Sequence, residues 1–84
     1  MNALYDYIDQ HAERSVRLLE TLCRQPSVSA QGLGLTEMAD LVLSILRERE
    51  VEARLIPVPG GPPVVYGTIK GRSDQTLLFY NHYD

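Results

Sequence analysis

Thr76-Leu77-Leu78-Phe79-Tyr80-Asn81-His82-Tyr83-Asp84 is an apolar run that stops at a histidine and an aspartate. Taken as a buried strand, it sends alternate side chains to opposite faces, so His82 and Asp84, two apart, project together from its carboxyl end. In open α/β sheets, ligands collect in the crevice just beyond the carboxyl ends of the strands. The reading of this stretch therefore sets both the fold and the place of a site.

Working back from it, Gly71-Arg72-Ser73-Asp74 supplies a turn, and Pro63-Val64-Val65-Tyr66-Gly67-Thr68-Ile69-Lys70 has the β-branched and aromatic content of a strand. Pro59-Gly60-Gly61-Pro62 is a strong turn signal. Before it, residues 52–58 alternate loosely, with Pro57 confining them to an edge or a strand end. Residues 52–70 thus read as a hairpin, and the run from Gln75 as a central strand covered on both faces.

Upstream the period changes. Over residues 35–50, Leu35, Met38, Ala39, Leu41, Val42, Ile45 and Leu46 form a broad apolar face, and Arg47, Glu48, Arg49 and Glu50 close the segment. That spacing predicts a core-packing helix, with Glu37 and Asp40 near its favourable positive end. Over residues 4–24, Leu4, Ile8, Ala12, Val16, Leu19, Leu22 and Cys23 recur at threes and fours, which predicts another amphipathic helix. Asn2 could cap it, Asp6 and Asp9 lie toward its start, and Pro26 moves Gln25 out of helical angles. Residues 27–34 read as a loop; Gly32-Leu33-Gly34 lacks both the full phosphate-loop pattern and a preceding strand. The expected fold class is α/β, two amphipathic helices followed by three strands.

Composition narrows the function. The 84 residues are 44% apolar and 23% charged with a net charge of −3, enough for one small domain and well below the size of a complete α/β enzyme. An acidic balance gives no basic footprint for nucleic acid and no lysine-rich face for an anionic membrane. The single cysteine, Cys23, excludes an internal disulfide. The amino terminus lacks the basic and continuously apolar regions of a signal peptide, and no apolar run approaches the roughly 18 residues of a membrane span. A cytoplasmic protein is expected. The chain ends within or just after an apolar segment, where a hydrophobic strand still needs neighbours, so a piece of a larger domain is expected.

Histidine and carboxylate two apart at a strand end suit a metal site, because imidazole nitrogen ligates zinc while a nearby carboxylate fixes the ring's tautomer and orientation. His-x-Asp alone is weak. Residues 76–84 as a whole, however, resemble the first metal motif of the co-catalytic zinc peptidases: aminoacylases, carnosinase-like dipeptidases, glutamate carboxypeptidases and succinyl-diaminopimelate desuccinylase. Leu22-Cys23-Arg24-Gln25-Pro26-Ser27-Val28-Ser29 is similar to that family's helix exit, and the later helix, hairpin and strand follow in the family's order. Two departures stand out. Asn81 occupies a position where the family often has Gly, and Tyr83 between the two site residues is closer to the dipeptidase-like branch.

The resemblance implies that residues 1–84 are the amino-terminal portion of a three-layer zinc-peptidase-like catalytic domain. It implies His82 as a ligand to one of two zinc ions and Asp84 as the catalytic-site aspartate that positions a metal-binding histidine. The substrate would be a small peptide or an acylated amino acid. Attack on its amide carbonyl would come from a metal-bridging water, with a separate Glu as general base. That Glu, the remaining ligands and the dimerisation domain of a full-length homodimer would follow Asp84, leaving the 84-residue chain inactive and at most a weak metal binder. Imidazole and carboxylate ligands also accept cobalt or manganese.

Other candidates have plainer readings. His11 fits a solvated helix residue without a second ligand at i+4; Cys23, a nucleophile only if paired with His82, fits the apolar stripe. Ser27 and Ser29 lie outside any nucleophile elbow and fit loop chemistry. The rival to the hydrolase is a non-catalytic α/β module that binds a partner through an exposed sheet edge. A coding frame that continues past Asp84 into further acidic ligands favours the enzyme; an authentic stop favours the module.

Overall fold

The computed structural model describes residues 1–84. The helical period over residues 4–24 is realised as two helices, α1 over Asn2–Gln10 and α2 over Ala12–Arg24, with His11 at the joint. There the backbone turns to φ −109° and ψ 9°, and the His11 N–H is shared between the carbonyls of Tyr7 (3.1 Å) and Ile8 (3.2 Å). The imidazole Nδ1 also reaches the Tyr7 carbonyl at 2.8 Å, and the ring stacks on Tyr7 with centroids 4.0 Å apart. A side chain that bonds a carbonyl of the preceding turn competes with the helix ladder, which explains the break. The half-buried His11 is thus a joint residue and not a solvated one. Asn2 does not cap: Met1 holds the N-cap position without a side-chain bond, and no acid lies in the first turn.

α2 stops at Arg24 as its sequence predicts, with Gln25 extended (φ −78°, ψ 117°) before Pro26. Residues 27–34 then close on themselves. Val28 and Leu33 form an antiparallel bridge around a 3₁₀ turn at Ser29–Gln31. Gly34, at φ +74°, is the N-cap of α3. A Cβ on it would lie 1.9 Å from the Pro26 carbonyl oxygen, so only glycine fits.

α3 spans Leu35–Glu48, two residues shorter than the apolar period and its charged tail suggest. Its exit satisfies the last carbonyls without a glycine. Glu50 takes φ 61°, its N–H donating to Arg47 O at 3.1 Å, while the Val51 N–H donates to Leu46 O at 3.1 Å. This is a Schellman-type end, with the apolar side chains of Val51 and Leu46 both lying beneath Gly67.

The hairpin pairs β1 (Glu52–Val58) with β2 (Gly61–Thr68), antiparallel, in the register Glu52↔Thr68, Arg54↔Tyr66, Leu55↔Val65 and Ile56↔Val64. The pairing is irregular at Pro57, between Ile56 and Val58, where a ladder donor is missing. Pro59 and Gly60 (φ 75°) make the turn, so β2 starts at Gly61 and includes both prolines that the sequence assigns to the turn and to the strand start. α3 lies across this hairpin. Arg47 fastens its end, Nε and Nη2 both donating to the Ala53 carbonyl at 3.2 and 3.0 Å. The centre of the core is small: Ala39 is 0% and Met38 7% exposed, and on the hairpin Leu55, Ile56 and Val65 are half-buried.

The expected third strand is absent. The sheet has two strands, and residues 76–80 make no ladder. Leu77, Leu78 and Phe79 are each about four-fifths exposed (79%, 82% and 78%). A strand needs a paired edge as well as apolar side chains, and β1 and β2 pair only with each other. The architecture is therefore a small α/β unit of three α-helices followed by two antiparallel strands. No helix is long and apolar enough to cross a membrane.

Candidate functional site around His82 and Asp84

The two residues that the sequence singles out do meet. His82 Nδ1 lies 3.1 Å from Asp84 Oδ1, with the His82 side chain 72% and the Asp84 side chain 36% exposed. An ionised carboxylate only accepts, so in the neutral ring the proton of this bond sits on Nδ1 and the Nε2 lone pair is free. Tyr80 meets the imidazole edge-on, its centroid 5.6 Å away.

What fixes this pair in place is the residue between them. Alternation turns Tyr83 to the other side, where it is the only half-buried residue of 76–84. Its hydroxyl donates to the carbonyl of Pro63 on β2 at 2.5 Å, and its own carbonyl accepts from Ser27 Oγ at 2.8 Å. Burial first, and the neighbouring Asp84 charge second, push the Tyr83 phenol above its ordinary pKa of 10.0. The protonated phenol is the form that can donate to Pro63. The sequence shows Ser27 as a loop residue and Tyr83 as a spacer. The signal for more was the period of two, which sends Tyr83 inward, where a phenol needs a partner.

Between β2 and the terminal segment runs a cleft of about 570 Å³, lined on one side by Pro63, Val65 and Tyr66 and on the other by Tyr80, His82 and Asp84. It combines apolar walls with one imidazole and one carboxylate at the rim, the usual make-up of a small-molecule site. No group of three or more His, Cys, Asp or Glu side chains gathers anywhere in the 84 residues. Zinc sites use three or four protein ligands. The donors present therefore fit one imidazole arm of a metal centre, with its orienting carboxylate, and do not make a closed site.

Of the remaining candidates, only Ser29 lines the same cleft. His11 is engaged with Tyr7, and Cys23 is exposed instead of packed in an apolar stripe. Ser29 opens the 3₁₀ turn. Gly32 and Gly34 serve turns, both at positive φ.

No protein-family model matches this sequence, and neither a curated protein nor a solved structure is detectably similar to it.

Proposed function

We propose that residues 1–84 form the amino-terminal part of the catalytic domain of a zinc-dependent hydrolase that cleaves an amide bond in a small peptide or N-acyl amino acid. The observation that carries this reading is the 3.1 Å contact between His82 Nδ1 and Asp84 Oδ1 at the rim of the cleft. In the neutral ring this contact keeps the proton on Nδ1 and leaves the Nε2 lone pair for a metal. The resemblance of residues 76–84 and 22–29 to zinc peptidases supports the same reading.

In it, His82 supplies one ligand and Asp84 holds the ring in its ligating tautomer. Zinc, when bound, would polarise the scissile carbonyl and acidify a water molecule. The apolar walls contributed by Val65 and Tyr66 receive the substrate side chain and limit the water around the reacting amide. With one imidazole and one carboxylate, the 84-residue chain by itself binds zinc weakly and does not turn over.

Zinc titration followed on the histidine ring resonances tests this. Zinc should shift the His82 ring first, His82→Ala should abolish the saturable response, and His11→Ala should leave it intact. Equal zinc affinity in wild type and His82→Ala would remove His82 from any metal site. A second reading has its own support, since each strand of the sheet has a single partner and an unpaired outer edge. A non-catalytic module that adds a partner strand there would be indifferent to His82→Ala.

A further inference from the structure

The His82–Asp84 pair sits at the end of a segment that has almost no other attachment to the body. Residues 69–82 are all exposed, and none belongs to a helix or a paired strand. Within residues 76–84, two hydrogen bonds reach the rest of the chain, and both are made by Tyr83. The phenol crosses 20 residues to the Pro63 carbonyl on β2, and the Tyr83 carbonyl is held by Ser27, 56 residues away in the loop between α2 and α3. One bond uses the side chain and the other the backbone of the same residue, so together they fix the Tyr83 peptide in position and in rotation. His82 and Asp84 are its immediate neighbours.

We propose that Tyr83 and Ser27 are positioning residues that clamp the backbone between His82 and Asp84, keeping the carboxylate on Nδ1 and the free Nε2 at the rim of the cleft. The alternation along the chain makes this work. With Tyr83 held inward, the residues on either side are both turned outward and come within bonding distance of each other. An unclamped segment outside any ladder would sample many rotations about these peptides, and an exposed pair of side chains two apart would meet only part of the time. Ser27 is well placed for this role because its own loop is tied on both sides of it, by the Val28↔Leu33 bridge and by the close passage of Gly34 under the Pro26 carbonyl.

This inference deepens the hydrolase reading, since a fixed tautomer matters most to a metal ligand, yet its geometry can be read without any metal. The experiment is ¹⁵N–¹H long-range correlation on the imidazoles of the 84-residue chain, at a pH where His82 is neutral and Tyr83 protonated. It compares wild type with Tyr83→Phe, Ser27→Ala, Ser27→Thr and the remote control Ser44→Ala. Ser44 Oγ donates only to its own helix, at Asp40 O. Wild type should show His82 mainly as the Nδ1–H tautomer. Tyr83→Phe and Ser27→Ala should shift it toward the Nε2–H form, whereas Ser27→Thr, which keeps the hydroxyl, and Ser44→Ala should resemble wild type. Amide spectra of α3 and the hairpin, unchanged in all variants, separate a local effect from unfolding. In a parallel zinc titration, Tyr83→Phe and Ser27→Ala should each weaken binding about fivefold, the loss expected for one neutral hydrogen bond. A wild-type tautomer population in both Tyr83→Phe and Ser27→Ala would overturn the clamp. Were zinc to leave the His82 ring unmoved, His82 would lose its place as a ligand of the proposed hydrolase, and the ring nitrogens would still decide the clamp.

Discussion

The unit made of α3, β1 and β2 and the segment 75–84 are built from similarly apolar residues, yet one is packed and the other lies open. Leu55 and Val65 face each other across a ladder and under a helix, while Leu77 and Phe79 have neither partner nor cover. The difference is in hydrogen bonding and layering, not in hydrophobicity. Each strand of the hairpin gives the other's N–H and C=O groups a partner, and α3 then covers the face so formed. The terminal segment has one inward residue, Tyr83, and two bonds at that residue. Order in the first region comes from many modest contacts; in the second it depends on a single anchoring point.

The largest expected effect that tests this contrast is Gly34→Ala. A methyl group there meets the Pro26 carbonyl and a left-handed backbone, which should cost about 3 kcal/mol of unfolding free energy in urea denaturation. It should also release the loop that carries Ser27. A loss under about 1 kcal/mol would mean that the loop relaxes freely and anchors nothing. Next comes Met38→Ala, which empties the middle of the small core. A cost of about 2 kcal/mol, at the low end for buried methionine, is expected because so much of the surrounding surface is already open. The reverse sign is expected for Glu50→Gly, which relieves a left-handed residue at the end of α3 and should stabilise by about 1 kcal/mol. No gain in melting temperature would show that the Glu50 side chain has a compensating role.

The smallest effect on the body, and the most selective for the terminal segment, is alkaline pH. The folded chain favours the protonated Tyr83 phenol, whose pKa is raised above 10.0 first by burial and then by Asp84. Its contribution is therefore complete below the unfolded-state pKa and is lost as pH rises through the higher folded value. Carbon chemical shifts of residues 81–84 should move to random-coil values over that range while those of α3 persist. Phenolate absorbance, taken as wild type minus Tyr83→Phe, should report a titration above the ordinary tyrosine value; one at or below it contradicts the buried phenol.

Much of the packed unit was legible. The α2 exit before Pro26, the 3.6-residue period of α3 and the Pro-Gly turn of the hairpin are local signals, and the structure keeps them. The nonlocal features were not. The break at His11 depends on a side chain returning to the Tyr7 carbonyl, which periodicity across residues 4–24 does not reveal. The apolar run 76–80 has the composition of a central strand, but composition carries no information about which edge will receive it. At the candidate site, the meeting of His82 with Asp84 follows from spacing alone, whereas the tie from Ser27 to Tyr83 joins residues too far apart for any pattern to link.

Pro62 and Pro63 stand side by side at the start of β2 and bring no amide hydrogen to that stretch of its rim. Neighbouring residues of a strand alternate in which side they address, so one of the two leaves a gap in the outward row of donors. A foreign chain trying to zip onto the hairpin would find that gap at the first rung, and the Pro63 oxygen already taken by a phenol. A chain that leaves so many greasy side chains in water thus guards one stretch of its margin against fibre-like stacking, and does so where the Tyr83 phenol docks.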